Sequence, residues 1–155
     1  MTMTDQFQLT DDQLAIQDMA RKFTADRITP FAAEWDEKHH YPVDVWKAAG
    51  ELGFGAIYVA EESGGIGLGR MEAALIMEAM AYGCPATSAY VSIHNMATWM
   101  IDRFRGTEIK TRFLPDLVTD RVHITATHTA SITNVPPTRE RIQAACAHIS
   151  RIAAG

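Results

Sequence analysis

Aromatic residues are missing from the last quarter of this sequence: no Phe, Tyr or Trp follows Phe113. Acids thin out at nearly the same point. Beyond Asp120 only Glu140 stands against Arg121, Arg139, Arg141 and Arg151, which leaves +3 there; of the overall −5, residues 1–120 therefore carry −8. Cysteine is scarce. Cys84 and Cys146 provide neither a disulfide framework nor the spacing of a metal quartet, and a reducing, cytoplasmic compartment is the default expectation. No apolar run is long enough to cross a bilayer. The opening residues, Met1 to Gln6, contain no base and no apolar core, so they do not read as a signal peptide. The excess of acid argues against nucleic acid as a partner, because such affinity comes from Lys and Arg meeting phosphates. The glycines at 64, 65, 67 and 69 lack the Gly-x-Gly-x-x-Gly spacing of a dinucleotide loop and read as turn chemistry. His39-His40 and the pair His123 and His128 have no third ligand at a metal-binding spacing, and no Ser-His-Asp or Cys-His arrangement stands out.

What is present is helical periodicity. Thr10 with Gln13 three residues on forms a capping box, Leu9 and Leu14 are placed as a staple, and Asp11 and Asp12 suit the positive end of the helix dipole. Leu14, Met19, Phe23 and Ile28 mark the expected buried stripe. Pro30 ends or bends this helix, and Phe31, Ala32 and Trp35 continue on a short piece to Lys38. Pro42 opens a helix with Val43, Trp46, Ala49 and Leu52 on one face, and Gly53 stops it. An apolar run, Phe54 to Val59, leads into a turn-rich loop, Glu61 to Gly69. Residues 70–82 are apolar on almost every side, which predicts a buried helix closed by Gly83 and Pro85. Residues 86–104 predict another, ended by Gly106; Thr107 then caps a helix from Glu108 to Leu114 that Pro115 terminates. The fold class is all-α, a helical bundle with mixed connections over residues 1–119. Residues 120–155 form a divergent tail. In it Thr138 caps a short helix, 139–153, with Ile142, Ala145, Cys146, Ile149 and Ile152 along one stripe.

Several of these segments resemble one family. Leu9-Thr10-Asp11-Asp12-Gln13, Ala48-Ala49-Gly50-Glu51-Leu52-Gly53-Phe54, Glu62-Ser63-Gly64-Gly65-Ile66-Gly67-Leu68, and Gly106-Thr107-Glu108 leading to Arg112-Phe113-Leu114-Pro115 are each weak alone. In this order and spacing, over residues 8 to 119, they are similar to the N-terminal helical domain of FAD-dependent acyl-CoA dehydrogenases. Ala89 to Met96 resembles the short branched-chain members, the isobutyryl-CoA dehydrogenases. The resemblance implies an enzyme of three parts: this domain, a β-sheet domain that holds FAD, and a C-terminal helical domain with a catalytic glutamate. It implies α,β-dehydrogenation of a short or branched acyl-CoA, the glutamate removing the α-proton while the flavin takes the β-hydride, and electrons then passing to an electron-transferring flavoprotein.

The sequence departs from the family after Thr119. No Thr-Glu-Pro and no Gly-Ser-Asp occurs, although the family's flavin segment carries both. Gly106 to Phe113 is also one residue shorter than the family's usual spacing, which turns a helix face by about 100°. The tail reads as an out-of-frame or recombined ending, an idea that fails if no alternative downstream frame encodes the missing motif. A polypeptide of these residues is therefore expected to hold no FAD and to be inactive. The alternative function is a non-catalytic interaction or remnant module.

No catalytic residue is assigned. Tyr90, Ser92, Ile93, His94, Asn95 and Met96 lie on the helix that, by the resemblance, borders the acyl pocket, where side chains at the far end set chain-length preference. The competing reading is a buried helix carrying a satisfied His and Asn. Helices 70–82 and 86–104 should each keep one apolar face for the sheet domain. Self-association through those faces is expected unless the tail helix covers them.

Overall fold

The structure, a computed structural model, describes residues 8–119. The expected tail from residue 120, with its helix 139–153, lies outside the described residues. Six α-helices follow in order: α1 Asp11–Arg27, α2 Ala32–Glu37, α3 Val43–Glu51, α4 Arg70–Gly83, α5 Pro85–Phe104 and α6 Thr107–Val118. A 3-10 turn, Glu61–Ser63, lies between α3 and α4. Among the described residues there is no strand, in keeping with the all-α expectation. α1 packs on α4, α4 on α5, and α5 on α6.

The capping box of α1 forms in full. Gln13 N–H donates to Thr10 Oγ1 at 3.2 Å, and Thr10 N–H donates to Gln13 Oε1 at 3.1 Å. The same glutamine donates Nε2–H to Glu72 Oε1 at 2.8 Å, which ties the first turn of α1 to α4. The expected stripe needs correction. Leu14 is 45% exposed and Met19 39%, while α1 buries Gln17, Ala20, Phe23 and Thr24. Contact with α4 selects the face, and small or polar residues fit that close approach better than Leu and Met. On α3 the same kind of shift leaves Val43 exposed and buries Val45 beside Trp46 and Ala49. Gly53 does follow α3 as its stop, at φ +82, a left-handed conformation that disfavours any Cβ.

The run Phe54 to Val59 is not a strand. It folds as turns whose apolar members Phe54, Ala56, Ile57 and Val59 are fully buried. The glycine loop packs back onto it: Ile66 N–H donates to Ala56 O at 3.2 Å, Gly67 N–H to Val59 O at 2.9 Å and Leu68 N–H to Ile57 O at 2.8 Å.

α4 is not buried all round. Ala73, Leu75, Ile76, Ala79 and Met80 face the core, but Met71 is 54% exposed and Tyr82 81%. Nor does Pro85 close this helix. Cys84 caps the end of α4 and the start of α5 at once, and Pro85 is the first residue of α5, where its missing N–H would have had no helical partner. At α6, Gly106 is the N-cap and Thr107 already helical; Pro115 lies inside the helix, which runs on to Val118. Only the bond to the carbonyl four residues back is lost. Thr111 and Pro115 both face solvent, so water can serve that carbonyl.

The main core joins Phe23, Ile28, Trp46, Phe54, Ile57, Ile76, Met80 and Val91. A second cluster, Ala97, Ile101, Leu114 and Leu117, holds α6 against α5; each fully buried Leu or Ile there stabilises by about 1.5–3 kcal/mol.

Candidate functional site

α5 carries all six residues expected at the acyl pocket, and the helix sorts them by face. Its inner face buries Thr87, Ser88, Val91, His94, Asn95, Ala97, Thr98 and Ile101. Asn95, with no exposed surface, accepts a hydrogen bond from Ile57 N–H at 2.7 Å and donates Nδ2–H to Phe54 O at 2.7 Å and Val91 O at 2.9 Å. One side chain thus replaces the ladder that a strand would have given the segment after α3. His94 Nε2 lies 3.0 Å from Leu117 O. A carbonyl only accepts, so this nitrogen carries the proton and donates, pinning the last turn of α6 to the middle of α5.

The outer face is different. Ser92 is exposed, and Ile93 is 42% exposed, Met96 49%, Met100 42% and Phe104 67%. Positions 93, 96, 100 and 104 fall at helical spacing and form one apolar stripe about 16 Å long at 1.5 Å per residue. Tyr90 goes to a third place. It is half-buried at the start of α5, with its ring centroid 4.5 Å from that of Trp46 and 5.2 Å from that of Tyr41. These rings line a cavity of about 280 Å³ with Trp35, Asp36, His39, His40 and Cys84. The structure therefore brings Ser92, Ile93 and Met96 together, and sets His94, Asn95 and Tyr90 apart from them.

One polar network was not foreseen. Asp102 Oδ1 accepts from Ser63 Oγ at 2.6 Å and from Lys110 Nζ at 3.1 Å, while Oδ2 accepts from Ala60 N–H at 3.3 Å. It ties the glycine loop and α6 to α5. The available signal was the single acid of a helix whose one other fixed charge is the adjacent Arg103. Burial pushes this carboxyl up, but the Ser63 hydroxyl, the Lys110 ammonium and the Ala60 N–H together hold it below the usual range. A carboxylate depressed in the folded chain stabilises fully above its unfolded value, about 3.9, and that stabilisation is lost as pH falls through the folded value. The wild-type chain should therefore lose stability faster than Asp102→Asn as pH drops from about 5 to about 3. Thermal melts across that range check this; parallel curves would contradict it.

Among the described residues no group of three or more His, Cys, Asp or Glu is placed to hold a metal ion, and His39 and His40 are exposed. No helix among them is long and apolar enough to cross a membrane.

A family model described as acyl-CoA dehydrogenase, N-terminal domain, matches residues 10–121. Mitochondrial isobutyryl-CoA dehydrogenase of Bos taurus is 46% identical over 111 residues, covering 72% of this chain and 27% of that protein. The chain thus spans roughly a quarter of that relative's length. Among solved structures, PigA with FAD and proline superposes with a TM-score of 0.70 at 28% identity, over 76% of this chain and 31% of that one. The glutaryl-coenzyme A dehydrogenase glutaryl-CoA complex gives a TM-score of 0.70 at 27% identity, over 74% and 30%. The matched span, the helix order and the identity agree: this chain belongs to the acyl-CoA dehydrogenase family, of which residues 10–121 are the N-terminal helical domain.

Proposed function

We propose that this domain supplies a helical wall of the acyl site in an FAD-dependent dehydrogenase of short or branched acyl-CoA, with an electron-transferring flavoprotein as the acceptor. The observation that carries this reading is the outer stripe of α5. Its apolar residues Ile93, Met96 and Met100 stay uncovered on the helix whose sequence most resembles the branched-chain members. Ser92, Ile93 and Met96 would meet the acyl chain. There a change of one methylene alters binding by about 1–3 kcal/mol. His94 and Asn95 act from behind, holding α6 and the turn after α3 in place, and Tyr90 holds the start of the helix. None of these six is an acid–base group in this reading; the wall orients substrate and keeps water out.

In our reading the two hollows nearest Tyr90 are poor flavin cradles. The aromatic cavity beside Tyr90, about 280 Å³, has the carboxylate of Asp36 on its wall and no Lys or Arg to meet a diphosphate. The neighbouring hollow at Arg27 and Lys38 has its cations paired, Lys38 with Glu34 at 2.6 Å and Arg27 with Asp44 at 4.0 Å. A polypeptide of these 155 residues, incubated with FAD and freed of excess cofactor, should show no visible flavin band and no dehydrogenation of isobutyryl-CoA. A retained band or turnover would overturn this reading of the domain. The second reading, a non-catalytic interaction module, rests on the same uncovered stripe and the missing Thr-Glu-Pro and Gly-Ser-Asp motifs. A reducing compartment remains our reading for Cys84, a half-buried free thiol.

A further inference from the structure

We propose that the aromatic cavity at the start of α5 is a binding site for a small organic cation of the quaternary ammonium type, held against the rings of Tyr41, Trp46 and Tyr90 beside the carboxylate of Asp36. The rings are the first support. Tyr41 stacks on Trp46 with centroids 5.6 Å apart and an interplanar angle of 14°, and Tyr90 lies 4.5 Å from Trp46 and 5.2 Å from Tyr41. Nothing enters between rings this close, so they act together as one wall, and Trp35 adds a further ring to the lining. An aromatic face attracts a cation that comes within about 6 Å of its centroid, best of all over Trp.

Charge selects the sign of the occupant. Asp36 is the one acid of the lining, and no Lys or Arg joins it. Its carboxylate makes no hydrogen bond or ion pair among the described residues. Residues 1–120 carry −8, a field that draws cations in. Size narrows the class: about 280 Å³ lies just under the roughly 300 Å³ at which sites for drug-sized molecules begin. The backbone is the third support. His39 sits at φ +50, where glycine is the usual residue. There His39 N–H donates to Asp36 O at 3.3 Å and His40 N–H to Trp35 O at 2.8 Å, the paired bonds of a left-handed helix end. That reversal brings His39 and Tyr41 to the cavity that Asp36 already lines. Backbone strain of this kind gathers at ligand sites. The cavity is apart from Ser92, Ile93 and Met96, and the proposal does not rest on the acyl-CoA reading.

Choline is the probe, and dimethylbutanol, its neutral isostere with carbon in place of nitrogen, is the control. Binding to the full chain is followed by tryptophan fluorescence and by saturation-transfer NMR of the ligand methyl protons, at constant ionic strength. Choline should bind about fivefold or more tightly than dimethylbutanol. Asp36→Asn, at an exposed position, should weaken choline about threefold and leave dimethylbutanol unchanged. Tyr41→Leu keeps an apolar side chain without the ring and should weaken choline by about fivefold. Glu108→Gln on α6 removes the same charge elsewhere and should change nothing. Equal binding of the two ligands would make the cavity merely apolar. Choline binding that ignores both cavity variants would place the cation elsewhere, and no binding at high millimolar choline would leave the cavity without this ligand. Each of these results overturns the proposal. Circular dichroism of each variant separates a failed fold from a lost site, and the comparison of the two ligands on the unaltered chain needs no variant.

Discussion

Replacing Asn95 with alanine should cost about 3–5 kcal/mol of folding stability, read as a fall in the urea midpoint followed by circular dichroism. The side chain is fully buried and makes three hydrogen bonds, to Ile57 N–H, Phe54 O and Val91 O. Val91 O is on the same helix and within range of a helical bond. The Ile57 and Phe54 groups are not, and each buried orphan costs about 1–3 kcal/mol, with a cavity term added. Asn95→Leu distinguishes the contributions. It restores volume without restoring a donor or acceptor, so it should remain nearly as damaging as alanine. If leucine recovers most of the loss, Asn95 is a space filler and the hydrogen bonds do little.

Gly65→Ala should destabilise by about 3 kcal/mol, at the upper end of the usual overpacking range. A Cβ at residue 65 would lie 2.2 Å from Val59 O and 2.5 Å from Val59 Cβ. The obstacle is backbone, and it belongs to a residue with no exposed surface, so it cannot swing aside. The strain would spread to the bonds that Gly67 and Leu68 make with the same turn. Gly106→Ala is the control, since nothing lies within 4 Å of its added methyl. As a change at an N-cap it should cost below about 1 kcal/mol. Comparable losses in the two variants would mean that the Val59 contact is not the cause.

The features readable from sequence were those whose physics is local. The capping box of α1 needs only Thr10 and Gln13, and Gly53 stops α3 because a left-handed residue is required there. The family motifs span these same local features. What escaped was decided by packing between distant segments. Leu14 and Met19 fit the period of a buried stripe as well as Gln17 and Thr24 do; only the close approach of α4 shows which set goes inside. Residues 70–82 look buried all round because apolar side chains serve equally for a core and for an uncovered face. Pro115 reads as a terminator, yet a solvent-facing position lets a helix absorb one missing bond. At the candidate site, the six residues 90, 92–94, 95 and 96 were found as a segment, and the segment could not be divided. Asn95 and His94 find their partners 38 and 23 residues away, and nothing in the spacing along α5 names them. Asp102 was the more legible clue, the single carboxylate on a helix whose one other fixed charge is Arg103.

The joint at Cys84 bears on the order of folding. α4 and α5 meet through one residue, and Ser88 Oγ–H reaches back to Met77 O at 2.7 Å, so the two helices double back with almost no loop. Closure entropy rises with the logarithm of loop length, and here that length is near its minimum. The entropic barrier to pairing α4 with α5 is therefore smaller than for bringing α1 onto α4, across more than forty intervening residues. In kinetic terms this hairpin is the natural nucleus, and the Asn95 pin, which must capture a segment 38 residues upstream, locks only after the surface it holds has already formed.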